Sequence, residues 1–185
     1  MIIKKKKEKQ YRQEILKHKK FILRGFFECI KCKDLEWIIQ DPLILKELWK
    51  RVLIHDDDKY EKDIFDAYRK HYFPVNQQEK KKNEKNFLIA KKKHIENNDH
   101  HWQNRVNLKN EDFNIQTEIA CLENLIDWLA RGYQFNNRPY EYYEKHKNII
   151  TLPKKQIDFL EKCIYQGIDK NYIIKRRKNE KEKKQ

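Results

Sequence analysis

The chain of 185 residues is strongly basic, with a formal net charge of +14, and 38% of its residues are hydrophobic. This length and this apolar content suit one domain built around one core. The sequence contains no serine, only two threonines and three glycines, which excludes a serine hydrolase and a glycine-rich nucleotide loop of the Walker type.

Apolar residues recur every three or four positions along most of the chain, and the four prolines stand near predicted turns or helix starts. We therefore expect an all-α fold. We predict helices over 7–30, 34–40, 43–56, 61–73, 78–97, 112–132, 138–147 and 154–167. The predicted organisation is a basic N-terminal extension over 1–10, a helical domain over 11–168 and a basic, disordered tail over 169–185.

The first predicted helix carries a histidine on its apolar face. His18 shares that face with Ile15, Ile22 and Phe26, so it points inward. A lone histidine at such a position is usually a hydrogen-bonded core residue. His18 by itself therefore does not indicate a metal site.

The third predicted helix ends in a histidine and an aspartate. The apolar face that includes Leu48 and Val52 leads to His55 and Asp56 on the same inner side. A chain of this composition contains a His-Asp dipeptide by chance in about a third of cases, so the pair alone proves nothing. Its place at an inward helix end gives it weight.

Further ligand types follow in the second half of the chain. His94 precedes a polar turn with the pair His100 and His101, and the least polar stretch then carries Glu123 and Asp127 one turn apart. Carboxylates inside an apolar helix need cations. The combination predicts a metal site, and the candidate ligands are His18, His55, Asp56, His94, His100, His101 and Asp127.

The order of these residues, H, then HD, then D, resembles the HD-domain superfamily of metal-dependent phosphohydrolases, and the intervening histidines resemble its two-metal branches. More closely, the sequence resembles an uncharacterised HD-like family found in phages and bacteria. The resemblance covers about residues 15–165, and its pieces are HDxxK at 55–59, NxHHW at 98–102 and ExxxDW at 123–128.

The resemblance implies an HD-domain-like helical bundle and an enzyme with one or two divalent metal ions. One ion would be held by His18, His55, Asp56 and Asp127. A second would be held by His94 and by His100 or His101, with Asp56 bridging the pair. Mixed histidine and carboxylate ligation suits Mn, Fe or Zn and does not choose among them.

Catalytic roles fall on two further residues if the resemblance holds. Lys59 would neutralise phosphate oxygens as charge develops, although it is also one lysine among many in a basic chain. Glu123 would orient a ligand imidazole or a metal-held water, or pair with a nearby Lys or Arg. The expected reaction is hydrolysis of a phosphate ester, in a phosphorylated small molecule or nucleotide.

Two other functions stay open. Some two-metal HD-fold proteins are diiron oxygenases that use the same ligands on O2, and fold and ligands cannot separate the two chemistries. The net charge of +14 also suits a non-enzymatic protein that binds nucleic acid, although abundant Lys, Asn and Ile also accompany AT-rich coding sequences. Aromatic residues between 133 and 143 would line a substrate entrance or simply pack.

The cysteines and the chain start bear on compartment. Cys29 and Cys32 have the CxxC spacing of a zinc knuckle, but Cys121 and Cys163 are isolated, which argues against structural zinc. No apolar segment follows the run 4–7, so neither a signal peptide nor a membrane span is expected. We expect a reducing intracellular compartment such as the cytoplasm.

Overall fold

The computed structural model describes residues 2–182, and within that range every regular element is helical. The predicted all-α fold is confirmed. We number the α-helices in chain order. They are α1 (Ile2–Lys31), α2 (Glu36–Ile39), α3 (Pro42–Ile54), α4 (Lys62–Tyr72), α5 (Gln77–Asn97), α6 (Ile115–Phe135), α7 (Pro139–His146), α8 (Lys154–Glu161) and α9 (Lys170–Glu182).

Most helix boundaries agree with the predicted ones to within a few residues, and the residues that cap α6 explain its different bounds. The sixth helix starts at Ile115 and not at 112, because the Asn114 side chain accepts hydrogen bonds from the backbone N–H groups of Gln116 and Thr117. The last residue of α6 is Phe135. Asn136 caps this end and adopts a left-handed conformation with φ 55°.

The larger part of the core surrounds α6. Leu122, Leu125 and Ile126 on this helix are fully buried, and α1, α3 and α8 pack around it. Gly25 allows α1 to approach closely, since a Cβ atom there would lie 3.1 Å from the carbonyl oxygen of Ile126. This close contact of α1 with α6 sets His18 opposite Asp127.

A second, smaller core lies between α4 and α5. Ile64 and Phe65 on α4 pack against Phe87 on α5, and Tyr11 and Ile15 on the first half of α1 join them. The long helix α1 therefore takes part in both cores. The predicted ligands lie where the two cores meet.

The ends of the chain differ from their expected organisation. The extension predicted over 1–10 continues α1 as far back as Ile2, and Met1 lies outside the described residues. The tail predicted to be disordered from 169 forms α9 up to Glu182, while 183–185 lie outside the described residues. The fully buried Asp169 anchors this end, since Arg138 Nε donates to its carboxylate at 2.6 Å.

Between Ile2 and Glu182, no helix is both long enough and apolar enough to cross a membrane.

Candidate metal centre

All seven residues predicted as metal ligands come together at one place between the two cores. Helix α1 contributes His18, the end of α3 leads to His55 and Asp56, and α5 contributes His94. The remaining residues come from the turn after α5 and from α6, and they are His100, His101 and Asp127. Residues more than a hundred positions apart in sequence thus become neighbours.

Asp56 has an unusual backbone conformation. It adopts a left-handed conformation with φ 61° and ψ 20°, two residues after α3 ends at Ile54. A residue with a side chain pays on the order of 1 kcal/mol for this conformation, and such strain often marks a functional site. Here the turn leaves the Asp56 carboxylate buried among imidazole rings.

The first group of candidate ligands joins α1, α3 and α6. His18 Nε2 lies 3.1 Å from Asp127 Oδ1 and 3.5 Å from Asp56 Oδ2. His55 Nε2 lies 3.6 Å from the same Asp56 oxygen and 3.9 Å from Asp127 Oδ1. Ligand atoms that each lie about 2.1 Å from one ion are roughly 3–3.5 Å apart, so these spacings suit a shared cation.

The second group lies on the other side of Asp56. Its Oδ1 is 3.3 Å from His94 Nε2 and 3.7 Å from His100 Nε2. The Nε2 atoms of His94 and His101 are 2.9 Å apart. The carboxylate of Asp56 therefore presents one oxygen to each group.

Several of these buried atoms have no hydrogen-bond partner among the described residues. They are His18 Nδ1, His18 Nε2, His55 Nε2, His100 Nε2, Asp56 Oδ1 and Asp127 Oδ1. A buried polar atom without a partner costs about 1–3 kcal/mol, so a cluster of them is unfavourable unless a ligand satisfies it. Imidazole nitrogens and carboxylate oxygens are donors that a divalent cation binds, so the residues present fit a metal.

The charge states of most of these residues suit a cation, and His55 is the exception. Burial would raise the pKa of Asp56, but Lys59 and the surrounding imidazoles, His55 first, hold it well below its usual range. Burial lowers the pKa of His101 to about 2 and also lowers the pKa of His18. The pKa of His55 is raised instead, because Asp56 and the hydrogen bond with Glu123 outweigh the effect of burial. Metal coordination requires ionised carboxylates and neutral imidazoles, so a cation bound here would displace a proton from His55.

Carboxylates fix the opposite ring nitrogen of three of these histidines. His55 Nδ1 donates to Glu123 Oε1 at 2.8 Å, and His100 Nδ1 lies 3.3 Å from the same oxygen. His94 Nδ1 donates to Asp58 Oδ2 at 2.7 Å. Each of these contacts orients its ring so that Nε2 is directed at the centre.

Glu123 makes both kinds of contact considered for it in the sequence, to imidazoles and to an arginine. Besides orienting two imidazoles, its Oε2 accepts a hydrogen bond from Arg51 Nε at 2.6 Å. Arg51 also pairs with Asp99, which directly precedes His100. Sequence analysis missed Arg51 and Asp58, although Arg51 lies in the last turn of α3, four residues before His55.

Lys59 is not a solvated surface residue. Its side chain is 11% exposed, and its Nζ donates to Asp56 Oδ2. The ammonium group also lies 5.9 Å from the centre of the Tyr68 ring. Lys59 therefore places a positive charge directly at the candidate metal centre.

An open cleft of about 440 Å³ reaches this centre from the surface. Three of the residues that line it, His18, Asp56 and Lys59, belong to the centre or touch it. The remaining lining residues are Tyr11, Glu14, Ile15, Tyr68, Tyr72, Phe73, Arg131, Gln134 and Phe135. Of the aromatic residues between 133 and 143, only Phe135 lines the cleft.

The sequence matches one family, described as a family of unknown function (DUF5662), over residues 7–166. The chain belongs to DUF5662. No curated protein and no solved structure matches it. The DUF5662 match covers His18 through Asp127, so every candidate ligand and both candidate catalytic residues lie within the family's span. The resemblance to HD-domain enzymes stays a prediction.

The cysteines of this DUF5662 chain take no part in the centre. Within the described residues no cysteine belongs to a group of side chains that could hold a metal. Cys29, Cys121 and Cys163 are fully buried, and burial raises the pKa of all three thiols. They are protonated core residues at neutral pH.

Proposed function

We propose that this DUF5662 chain is a metal-dependent phosphohydrolase of the HD type, which hydrolyses a phosphate ester, in the first place one of a nucleotide. One observation carries the proposal: buried imidazole nitrogens and carboxylate oxygens without partners face one another beside a lysine at the base of an open cleft. In hydrolysis of a phosphate ester, a metal held by these nitrogens and oxygens would activate water, and the lysine would neutralise phosphate oxygens.

The two groups of ligands would hold two divalent ions. His18, His55 and Asp127 would bind the first, and His94, with His100 or His101, would bind the second. Asp56 would contribute one carboxylate oxygen to each, as its contacts to both groups suggest. Divalent ions in such a site supply Lewis acidity and activate water for attack on phosphorus.

The protein residues around the centre would orient and stabilise the reactants. Lys59 would donate to a phosphate oxygen and offset the negative charge that develops during the reaction. Glu123 and Asp58 hold three imidazoles in fixed orientations through their Nδ1 atoms. Burial of these groups strengthens their electrostatic interactions, because few water molecules screen them.

The cations at the cleft favour a phosphate ester over O2 as the substrate. Lys59 and Arg131 both line the cleft, and each carries a positive charge suited to an anionic substrate. A diiron oxygenase would need the ligands but not these cations. We therefore rank hydrolysis first between two chemistries that the ligand types alone do not separate.

The test is turnover by protein loaded separately with Mn, Fe and Zn, with release of inorganic phosphate from a panel of phosphate monoesters. Asp56→Asn should lower kcat/KM by about 10²–10³-fold, since it removes several kcal/mol of charge stabilisation. Asp57→Asn is the matched control, because the Asp57 side chain is 51% exposed and pairs with Lys19 at the surface. It should retain activity.

Two results would contradict this proposal. The first is phosphate release that is equally fast in wild-type protein and in Asp56→Asn. The second is O2 consumption by the iron-loaded protein with no phosphate released from any ester, which would favour the oxygenase.

A further inference from the structure

Two large aromatic side chains stand exposed among the residues that line the cleft. Tyr72, at the end of α4, is 58% exposed, and Phe135, at the end of α6, is 64% exposed. Tyr11, Tyr68 and Phe73 line the same cleft. Exposed aromatic faces in a concave site are surfaces on which a planar ring can stack.

A positive charge accompanies these rings. Arg131 lines the cleft one turn beyond Asp127 on α6. In the described part of the chain its guanidinium donates to the neutral side chain of Gln134 at 3.2 Å. Together with Lys59, it gives the cleft two cations, one touching Asp56 at the centre and one exposed on the wall. The carboxylates that line the same cleft are Asp56, which pairs with Lys59, and Glu14.

The size of the cleft limits what it can hold. Its volume of about 440 Å³ falls within the range of roughly 300–1,000 Å³ that small-molecule sites occupy. A nucleic-acid strand would need a longer basic groove that follows the phosphate backbone. The exposed guanidinium of Arg131 and the aromatic walls of this cleft therefore suit one small anionic molecule that carries a ring.

We propose that the substrate is a small phosphate monoester whose leaving group carries a planar ring, with Arg131 and Lys59 binding the phosphate and Tyr72 and Phe135 stacking on the ring. This inference rests on the proposed phosphohydrolase function. Hydrolysis forms a bond from a water oxygen to phosphorus and breaks the ester P–O bond. The departing oxygen takes up a proton, and the products are inorganic phosphate and a ring-bearing alcohol.

Binding can be measured without turnover. The probes are the phosphonate analogue of adenosine 5′-monophosphate, in which a P–C bond replaces the cleavable ester bond, and the ringless phosphonate analogue of glycerol 3-phosphate. Calorimetry with the metal-loaded protein gives Kd for both. Tyr72→Ala and Phe135→Ala should each weaken binding of the adenosine analogue about 5- to 100-fold and leave the ringless analogue unchanged, because stacking is lost only for the ring.

Two further variants complete the design. Arg131→Gln should weaken binding of both analogues by similar factors, since both carry the phosphonate. Phe27→Ala is the control, because Phe27 is a 46% exposed aromatic residue that packs near Trp49 and does not line the cleft. It should change neither Kd. Since Tyr72 and Phe135 are mostly exposed, their replacement should not prevent folding.

The inference is overturned if the ringless analogue binds as tightly as the adenosine analogue, or if both aromatic variants bind the adenosine analogue like the wild type. Its failure is separable from failure of the proposed function. Ring-dependent binding without phosphate release from any ester would support the cleft assignment and contradict hydrolysis. Phosphate release that does not depend on a ring or on the two aromatic residues would support hydrolysis and contradict the assignment of the cleft.

Discussion

Tyr11 carries a buried hydroxyl group in the wall of the cleft. The side chain is 5% exposed, its ring packs 5.0 Å from the ring of Phe65, and its hydroxyl has no hydrogen-bond partner among the described residues. Burial, with Tyr68 and Asp56 nearby, raises the pKa of the phenol far above its ordinary value, so the group stays a neutral donor. An unsatisfied buried hydroxyl lowers stability by about 1–3 kcal/mol.

Removal of this hydroxyl should therefore not destabilise the metal-free protein. For Tyr11→Phe we expect a free energy of unfolding equal to that of the wild type or up to about 1 kcal/mol higher, because the ring contacts remain. Urea denaturation followed by circular dichroism measures it.

Tyr143→Phe is the matched control for this change. Tyr143 is 2% exposed, and its hydroxyl donates to Glu161 at 2.8 Å. Its loss should cost about 1.5–3 kcal/mol, as for a hydrogen bond to a charged group. Equal destabilisation by Tyr11→Phe and Tyr143→Phe would contradict the view that the Tyr11 hydroxyl has no partner within the protein.

At the scale of single residues, sequence analysis could locate the candidate ligands but not their surroundings. His18 and Asp127 were predicted because helical periodicity places them on inward faces. The left-handed backbone of Asp56 and the clamp of Arg51 on Glu123 depend on tertiary contacts and leave no periodic signal. The contact between the Nε2 atoms of His94 and His101 likewise depends on the fold of the turn after α5.

The pairing of α4 with α5 depends on a buried arginine. Arg69 on α4 is fully buried, and its guanidinium donates two hydrogen bonds of 2.9 Å to the carboxylate of Glu79 on α5. The same carboxylate accepts from the backbone N–H of Val75 at 2.7 Å, so it also fixes the connection between the helices. These helices hold Tyr72 and His94 in place.

Glu79→Gln should lower the free energy of unfolding by about 2–4 kcal/mol, because it leaves a buried guanidinium without its counter-charge. Chemical denaturation measures this value. Glu96→Gln is the control, since among the described residues the Glu96 side chain pairs with Lys92 at 3.6 Å on the surface. It should change stability by less than about 0.5 kcal/mol. Similar small losses for both variants would contradict the role of Glu79.

The loss of stability in Glu79→Gln should depend on pH. The hydrogen bonds from Arg69 lower the pKa of Glu79 below its ordinary value of 4.5. A lowered carboxyl pKa adds stability that is fully present above the unfolded pKa and is lost as pH falls through the folded pKa. The difference between wild type and Glu79→Gln should therefore be largest near neutral pH and shrink below pH 4.5.

At the scale of helices, most boundaries were predictable and the last helix was not. Proline and capping residues mark the ends of α3, α6 and α7 in the sequence. Helix α9 was missed because its apolar content is low and, among its described side chains, Ile173 is the buried one. Its anchor is the buried contact between Asp169 and Arg138, which the sequence does not reveal.

The whole molecule combines a basic surface with a buried cluster of carboxylates and imidazoles. The net charge of +14 attracts anions towards the protein, and Lys59 and Arg131 place cations in the cleft beside the carboxylates of Asp56 and Glu14. The sequence predicted the charge and the ligands separately. It did not predict the cleft, because its walls come from α1, α4 and α6 and form only when the two cores pack together.

Metal stoichiometry tests the central claim most directly. Separate samples of the purified protein are incubated with Mn, Fe or Zn and then dialysed. Inductively coupled plasma mass spectrometry measures the metal bound per chain in the wild type, in Asp56→Asn and in the control Asp57→Asn. We predict two ions per chain in the wild type and in Asp57→Asn with at least one of these metals, and loss of stoichiometric metal in Asp56→Asn, because its carboxylate faces both groups. Wild-type protein without stoichiometric metal, or Asp56→Asn that binds as much as the wild type, would contradict the account.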